Sequence, residues 1–224
     1  MVDNIEFETP KLLLHDYVAD QFAAPSGFGG SLIALAMRVI NWLPYQAAVA
    51  RLSVRQDDRM LEIGFGPGSG LRRLTKQAVF GKVFGIDRSR TMVSIATARN
   101  QASIDAGQLR LAEGSFEALP LPEQSVDAVL AVNILYFVDP LHKALSEAYR
   151  VLAPGGRLVI YVTDHSHMSW LQFNGSETKN IFTTDSLASS LTASEFGAGS
   201  ISIEKVWLPF GFRGLVAVAT KPAS

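Results

Sequence analysis

The stretch M-L-E-I-G-F-G-P-G-S-G at 60–70 constrains this chain more than any other. Two apolar residues, Met60 and Leu61, lead into Glu62, and glycines follow at 64, 66 and 68. The pattern reads as a buried strand ending in a tight turn, with a helix beginning near Ser69. Glycine on alternate residues removes the Cβ atoms from one side of the turn, so backbone can approach a ligand closely and positive φ costs little. The helix that follows aims its free N–H groups at whatever occupies the turn. A nucleotide-like ligand is the expected occupant. The dinucleotide pattern G-x-G-x-x-G is not met. It asks for glycine at 69 when counted from Gly64, or at 71 from Gly66, and the chain has Ser69 and Leu71.

Strand and helix patterns alternate from residue 58 onward. Strands are expected at 59–63, 83–86, 108–112, 126–132 and 157–162. The helix after the glycine turn carries Leu71, Leu74 and Ala78 inward and is expected to end near Gly81, read as its C′ glycine. Ser89 can N-cap the next helix, which presents Met92, Ile95 and Ala96 on one side. Residues 117–124 form a turn-rich loop with two prolines. The run at 126–132 is almost continuously apolar, as a central parallel strand should be. Asp139 and Pro140 read as N-cap and first helical residue of a helix bearing Leu141, Ala144, Leu145, Ala148 and Leu152, which Pro154-Gly155-Gly156 stops. Residues 163–183 read as irregular, and a short helix at 184–196 ends at Gly197. Two β-rich runs, 200–208 and 214–220, are expected to pair as an antiparallel hairpin at the sheet edge. The alternation implies an α/β fold with a doubly wound, mostly parallel, seven-stranded Rossmann-like sheet.

Upstream, a helical pattern covers 11–24 (Leu12, Leu13, Tyr17, Phe22), and Pro25-Ser26-Gly27 breaks it. A second helix is expected over 31–43, with Leu32, Leu35, Ala36, Val39, Ile40 and Leu43 on one face and Pro44 ending or kinking it. These helices either cap the domain or form a lid over the ligand. The expected organisation is one domain: a helical cap over 1–57, a ligand-binding core over 58–163, and a substrate-side loop, helix and edge hairpin over 164–224.

Composition bounds the function. With 224 residues, 48% of them hydrophobic, the chain can build a sizeable core. A formal net charge of −1 without a basic block argues against a nucleic-acid partner. The absence of cysteine removes disulfides, thiolate metal sites and thiol nucleophiles. The first residues are acidic where a secretory signal is basic. The apolar stretch at 31–50 contains Arg38, Asn41 and Pro44, and so does not read as a membrane span. A soluble, cytoplasmic protein is the expectation.

Asp87 ends the second strand about 20 residues after the glycine turn, where a carboxylate can accept two hydrogen bonds from a ribose diol. Its bland reading is a helix cap or a surface acid. Arg88 either flanks an adenine or points to solvent. The E-x-G-x-G-x-G turn resembles the first motif of class I S-adenosylmethionine (SAM) methyltransferases. The segment E-G-S-F-E-A-L-P-L-P-E-Q-S-V-D at 113–127 and the turn Leu152-Ala153-Pro154-Gly155-Gly156-Arg157 resemble later motifs of the same family, in the right order. The resemblance covers about residues 58–163 and points to the small-molecule branch of the methyltransferase-11 type.

This resemblance implies SAM as cofactor, bound by Glu62, Gly64, Gly66, Gly68, Asp87, Arg88, Met92, Gly114, Ser115, Phe116 and Asn133. Phe116 would offer its backbone N–H to the adenine, and residue 115 would reach the exocyclic amine. Many relatives carry Asp at that place, and Ser115 is a weaker partner. Asn133 would lie under the methionyl part. The run Asn133-Ile134-Leu135-Tyr136 shares the Asn…Tyr spacing of the N-P-P-Y motif of amino-methylating DNA enzymes but lacks both prolines.

The sulfonium already activates the methyl group, so a base is needed only for an acceptor that must lose a proton early. Candidates on the acceptor side are Tyr136 after strand four, and Asp164, His165 and His167 after strand five. His165 or His167 can serve as base or be an exposed loop histidine. Tyr17 can fold over the cofactor or pack in the core. No metal site is expected. The leading expectation is methyl transfer to a small-molecule acceptor. The alternatives are a nicotinamide-dependent oxidoreductase and a catalytically silent methyltransferase fold that acts as a binding protein.

Overall fold

In the computed structural model, which describes residues 42–165, 178–209 and 213–223, the chain alternates much as its sequence pattern predicts. Helix α1 (Trp42–Leu52) precedes β1 (Arg59–Ile63), and α2 (Leu71–Gln77) leads to β2 (Lys82–Asp87). Helices α3 (Arg90–Arg99) and α4 (Gln101–Asp105) lead to β3 (Leu109–Glu113). Then come β4 (Val126–Val132), α5 (Leu141–Val151), β5 (Leu152–Thr163), α6 (Thr184–Thr192), β6 (Ile201–Trp207) and β7 (Arg213–Thr220).

The seven strands form one sheet in the order β3-β2-β1-β4-β5-β7-β6. Strands β1 to β5 pair in parallel, and β7 runs antiparallel to both β5 and β6. The chain winds outward from β1 to β3 and returns beside β1 with β4. The order therefore reverses between β1 and β4, and a crevice opens beyond their C-terminal ends.

Period-two alternation along the strands sorts the core into two layers. Leu61, Ile63, Val129, Ala131, Leu158 and Ile160 face α5 and α6, where they meet Leu145, Ala148, Leu187 and Leu191. Met60, Ala128, Leu130, Val159 and Tyr161 face the other way, toward Ala48, Val49 and Leu52 of α1 and Leu71 and Leu74 of α2.

Several expected boundaries are corrected. Pro44 does not mark a helix end: it lies in the first described turn of α1, which runs to Leu52. A proline ring obstructs only the turn before it, and the run after Pro44 buries Tyr45, Ala47, Ala48, Val49 and Leu52. Gly81 is not a left-handed C′ residue, since α2 stops at Gln77 with Ala78 as its cap. Gly81 is required by close approach instead: a Cβ there would stand 2.0 Å from the Asp58 carbonyl oxygen. Pro140, not Asp139, is the residue before α5, with extended φ −81° and ψ 136° and no side-chain cap.

Pro154-Gly155-Gly156 interrupts β5 from within. Val126 pairs with Leu152 and Ala128 with Arg157, so the extra residues bulge out, with Gly155 at φ +74°. The helix expected over 184–196 is shorter, ending at Thr192. The antiparallel edge hairpin of β6 and β7 is present as predicted. The helical patterns at 11–24 and 31–41, with Tyr17, and also His167 lie outside the described residues. No helix among the described residues is long and apolar enough to cross a membrane.

Candidate active site

A cavity of about 220 Å³ opens at the C-terminal ends of β1, β2 and β4, in the crevice the strand order creates. The glycine turn forms its floor, and the three glycines do different work. Gly64 has φ +67° and donates its N–H to the Ile86 carbonyl at 2.7 Å, tying the turn to β2. Gly68 has φ +73° and is packed against α3: a Cβ there would meet Ala96 Cβ at 2.6 Å and Asn100 Nδ2 at 2.9 Å. Gly66, at φ +55°, is the one that faces open space, with no protein atom within 4 Å of where its Cβ would be. That is a cradle a side chain would fill and a ligand can use.

Asp87, at the tip of β2, is 7% exposed. Its Oδ2 accepts from the Gly66 N–H and its Oδ1 from the Ser89 N–H, both at 2.8 Å. Burial pushes this carboxyl upward from the usual range, while those two N–H groups and the Arg88 charge oppose the shift. The capping role belongs to Ser89, whose Oγ accepts from the Met92 N–H. Asp87 is thus held rigid at the cavity wall with lone pairs left for a ligand.

Glu62, on β1, is buried and accepts from the Tyr45 hydroxyl at Oε2, 3.1 Å away. Burial raises its pKa to about 8, and the nearby Asp87 charge adds to the rise. The Tyr45 phenol is itself pushed well up, by burial first and by Glu62 second.

Gly114, Ser115 and Phe116 line the cavity beyond β3. Gly114 donates to the Asp87 carbonyl at 3.0 Å. The loop behind them is pinned to α5: Glu147 accepts from the Leu119 N–H at 2.8 Å, and Arg150 donates to the Leu119 and Leu121 carbonyls. Arg88 and Met92 also line the wall, with the Arg88 guanidinium 5.8 Å from the centre of the Phe137 ring.

Asn133 lines the cavity at φ +54°. Its Oδ1 lies 3.2 Å from the Tyr136 hydroxyl and 3.3 Å from Thr163 Oγ1. Tyr136 is buried behind it and is not part of the cavity wall. Burial raises its phenol well above the ordinary value. Gly68, Asp164 and His165 likewise stand off the wall. His165 is exposed and donates its backbone N–H to the Phe182 carbonyl. Among the described residues, no group of three or more His, Asp or Glu is placed to hold a metal ion.

The cavity also has lining residues that sequence reasoning missed: Trp42, Tyr45 and Gln46 of α1, Arg73 of α2, and Phe137. One signal was available. Gly70 is a fourth alternate glycine with no place in the turn, and a Cβ on it would stand 2.3 Å from the Tyr45 ring.

The donor set fits a nucleoside with an amino-acid tail. A buried carboxylate sits where a diol can be accepted, a hydroxyl and a backbone segment flank a place for a base, and Gln46 Nε2 is buried without a partner among the described residues.

Comparison with known proteins gives the same answer. Residues 61–160 match the methyltransferase domain family. An uncharacterized methyltransferase of Bacillus subtilis, YdaC, is 31% identical over 131 residues, covering 58% of this chain and 68% of that one. The demethylmenaquinone methyltransferase of Thermus thermophilus is 40% identical over 103 residues, 46% of each chain. The chain thus spans about two thirds of the first of these relatives and about half of the second.

Among solved structures, the putative methyltransferase bound to the Trm112 activator of Haloferax volcanii has a TM-score of 0.71 at 22% identity, covering 91% of this chain and 97% of that one. A SAM-dependent methyltransferase of Thermotoga maritima reaches 0.62 at 21% identity, covering 92% and 99%. These two likenesses are of fold. The chain belongs to the methyltransferase domain family and is a class I SAM-dependent methyltransferase.

Proposed function

We propose that this enzyme moves the methyl group of SAM to a small-molecule acceptor. The observation that carries the reading is Asp87: a buried carboxylate, fixed by two backbone N–H groups, beside a glycine whose missing Cβ leaves the cavity open. When bound, SAM supplies a methyl group already activated by its sulfonium. The residues then have to bind, orient and exclude water.

Asp87 takes the ribose diol, and Ser115 and Phe116 take the adenine edge. Met92 and the Arg88–Phe137 pair cover the same end. Asn133, held by the Tyr136 and Thr163 hydroxyls, sits under the methionyl part. The apolar side chains of Ile63, Phe65, Ile134 and Val138 keep the wall dry.

A small acceptor is supported by two relatives whose names give one: demethylmenaquinone in Thermus thermophilus and a sterol in Neurospora crassa. The test is release of S-adenosylhomocysteine over a panel of quinol, phenol, amine and thiol acceptors. Turnover with any of these supports the proposal. Tight cofactor binding without turnover on the whole panel favours a silent binding protein instead.

A further inference from the structure

Strand register carries one end of the β6–β7 hairpin to the same end of the sheet as the cavity. Gly214 pairs with Thr163, the last residue of β5, and Arg213 pairs with Trp207. Period-two alternation puts Lys205, Trp207 and Arg213 on one face of the hairpin, the face that carries Ile201 and Ile203. Ile201 and Ile203 pack against the cluster that includes Leu187 and Leu191 of α6. Past them the face is uncovered: Trp207 is 67% exposed, and Lys205 and Arg213 are exposed beside it. The 178–183 segment reaches the same place. The Phe182 carbonyl accepts from the His165 N–H, and the Arg213 carbonyl from the Asp164 N–H. Phe182 is buried, whereas Ile181 is 43% exposed.

The Arg213 guanidinium lies 4.3 Å from the centre of the Trp207 ring. Among the described residues no carboxylate forms an ion pair with Arg213 or Lys205. Glu204 is on the opposite face, where Arg51 takes it at 2.9 Å. Two cations thus accompany an exposed tryptophan and an exposed isoleucine. This combination suits the boundary of an anionic lipid layer, where an indole and an aliphatic side chain enter the headgroup region and the cations meet phosphate. A nucleic-acid backbone is usually engaged through more cations than two, and Ile181 has no partner on it. A second copy placed on this patch by a two-fold axis would set cation against cation.

We propose that the corner formed by Ile181, Lys205, Trp207 and Arg213 docks on anionic lipid surfaces. From β6 to β4, which borders the cavity, is three strand spacings, about 15 Å, so docking brings the cavity mouth to the same surface. None of the four residues lines the cavity, so docking and cofactor binding are separable.

The test is co-sedimentation of the full chain with vesicles of phosphatidylcholine alone and of phosphatidylcholine mixed with phosphatidylglycerol. The parent is expected to bind the mixed vesicles at least tenfold more tightly than the neutral ones, and to leave them as salt is raised. Trp207→Ala should weaken binding to the mixed vesicles about tenfold. Lys205→Gln combined with Arg213→Gln should weaken it about fivefold for each charge removed. Phe80→Ala is the control. It removes a side chain that is 78% exposed just before β2, at the opposite end of the sheet, and should change nothing. Thermal melting checks that the variants are folded.

Absence of vesicle binding by the parent, equal binding to the two vesicle types, or binding by the folded Trp207 and double variants as tight as the parent's overturns the proposal. So does a loss with Phe80→Ala as large as with Trp207→Ala. Capture of a single-stranded oligonucleotide, lost in the double variant and unaccompanied by vesicle binding, overturns it in favour of a nucleic-acid surface.

Discussion

At the residue scale, the three glycines of the turn separate ligand space from packing space. A methyl on Gly66 would enter the cavity and carry the left-handed backbone penalty, about 1–2 kcal/mol. A methyl on Gly68 would carry the same penalty and collide with Ala96 and Asn100. Gly66→Ala is therefore expected to cost at least tenfold in cofactor affinity and to lower the melting temperature by only about 2–8 °C. Gly68→Ala should destabilise by about 3 kcal/mol, read by thermal or urea unfolding.

Glu62 offers a second test. Its folded pKa, about 8, lies above the ordinary 4.5, so the folded protein favours the protonated form. The associated stability is present below about pH 4.5 and is lost as pH rises through about 8. Glu62→Gln removes that loss. The stability gap in favour of the variant should widen from about pH 5 to about pH 8 and then level off, as measured by urea unfolding across pH. Gly64, Gly66, Asp87 and the 114–116 segment, which line the cavity, were marked by motif spacing. Tyr45, Gln46 and Arg73 were not, because each reads as an ordinary residue of a packed helix and only folding brings them to one cavity.

At the element scale, the site depends on how α1 is anchored. Its C-terminal end is clamped by Arg157 of β5, which donates to the Leu52 and Ser53 carbonyls and pairs with the buried Asp58. The far end of α1 carries Tyr45 and Gln46 into the cavity wall. Removing the guanidinium leaves Asp58 buried without its cation, at a cost of about 3–5 kcal/mol. Arg157→Ala should thus lower the melting temperature by about 10 °C and weaken cofactor binding, although Arg157 is remote from the ligand. An unchanged melting curve would contradict the clamp. The Arg51–Glu204 pair that ties α1 to β6 is exposed and contributes little.

Element boundaries set by proline and glycine were the least legible. Pro44 reads as a terminator or a kink, yet it lies in the first described turn of α1, ahead of the buried face of Ala47, Ala48 and Leu52. Pro154-Gly155-Gly156 reads as the stop of α5, which ends earlier, at Val151, and the tripeptide instead bulges out of β5 between the pairs Val126–Leu152 and Ala128–Arg157. Proline is tolerated in a helix's first turn, and at the tripeptide strand pairing resumes beyond the bulge. Tyr136 belongs with them: adjacent in sequence to the cavity-lining Ile134 region, it turns inward to fix Asn133 and Thr163.

At the scale of the whole molecule, alternation of strand and helix sufficed to foresee the parallel sheet, and the closeness of β6 and β7 in sequence foretold their antiparallel pairing. The strand order then dictates where a ligand can sit, because the reversal between β1 and β4 leaves one crevice above the glycine turn. The family assignment, the cavity and the buried Asp87 converge on that place. The most direct measurement is calorimetric titration of the purified chain with S-adenosylhomocysteine and, in parallel, with NADH. Micromolar binding of the first with no heat from the second is the predicted result. Binding of NADH, or no binding of S-adenosylhomocysteine by a folded protein, would contradict it.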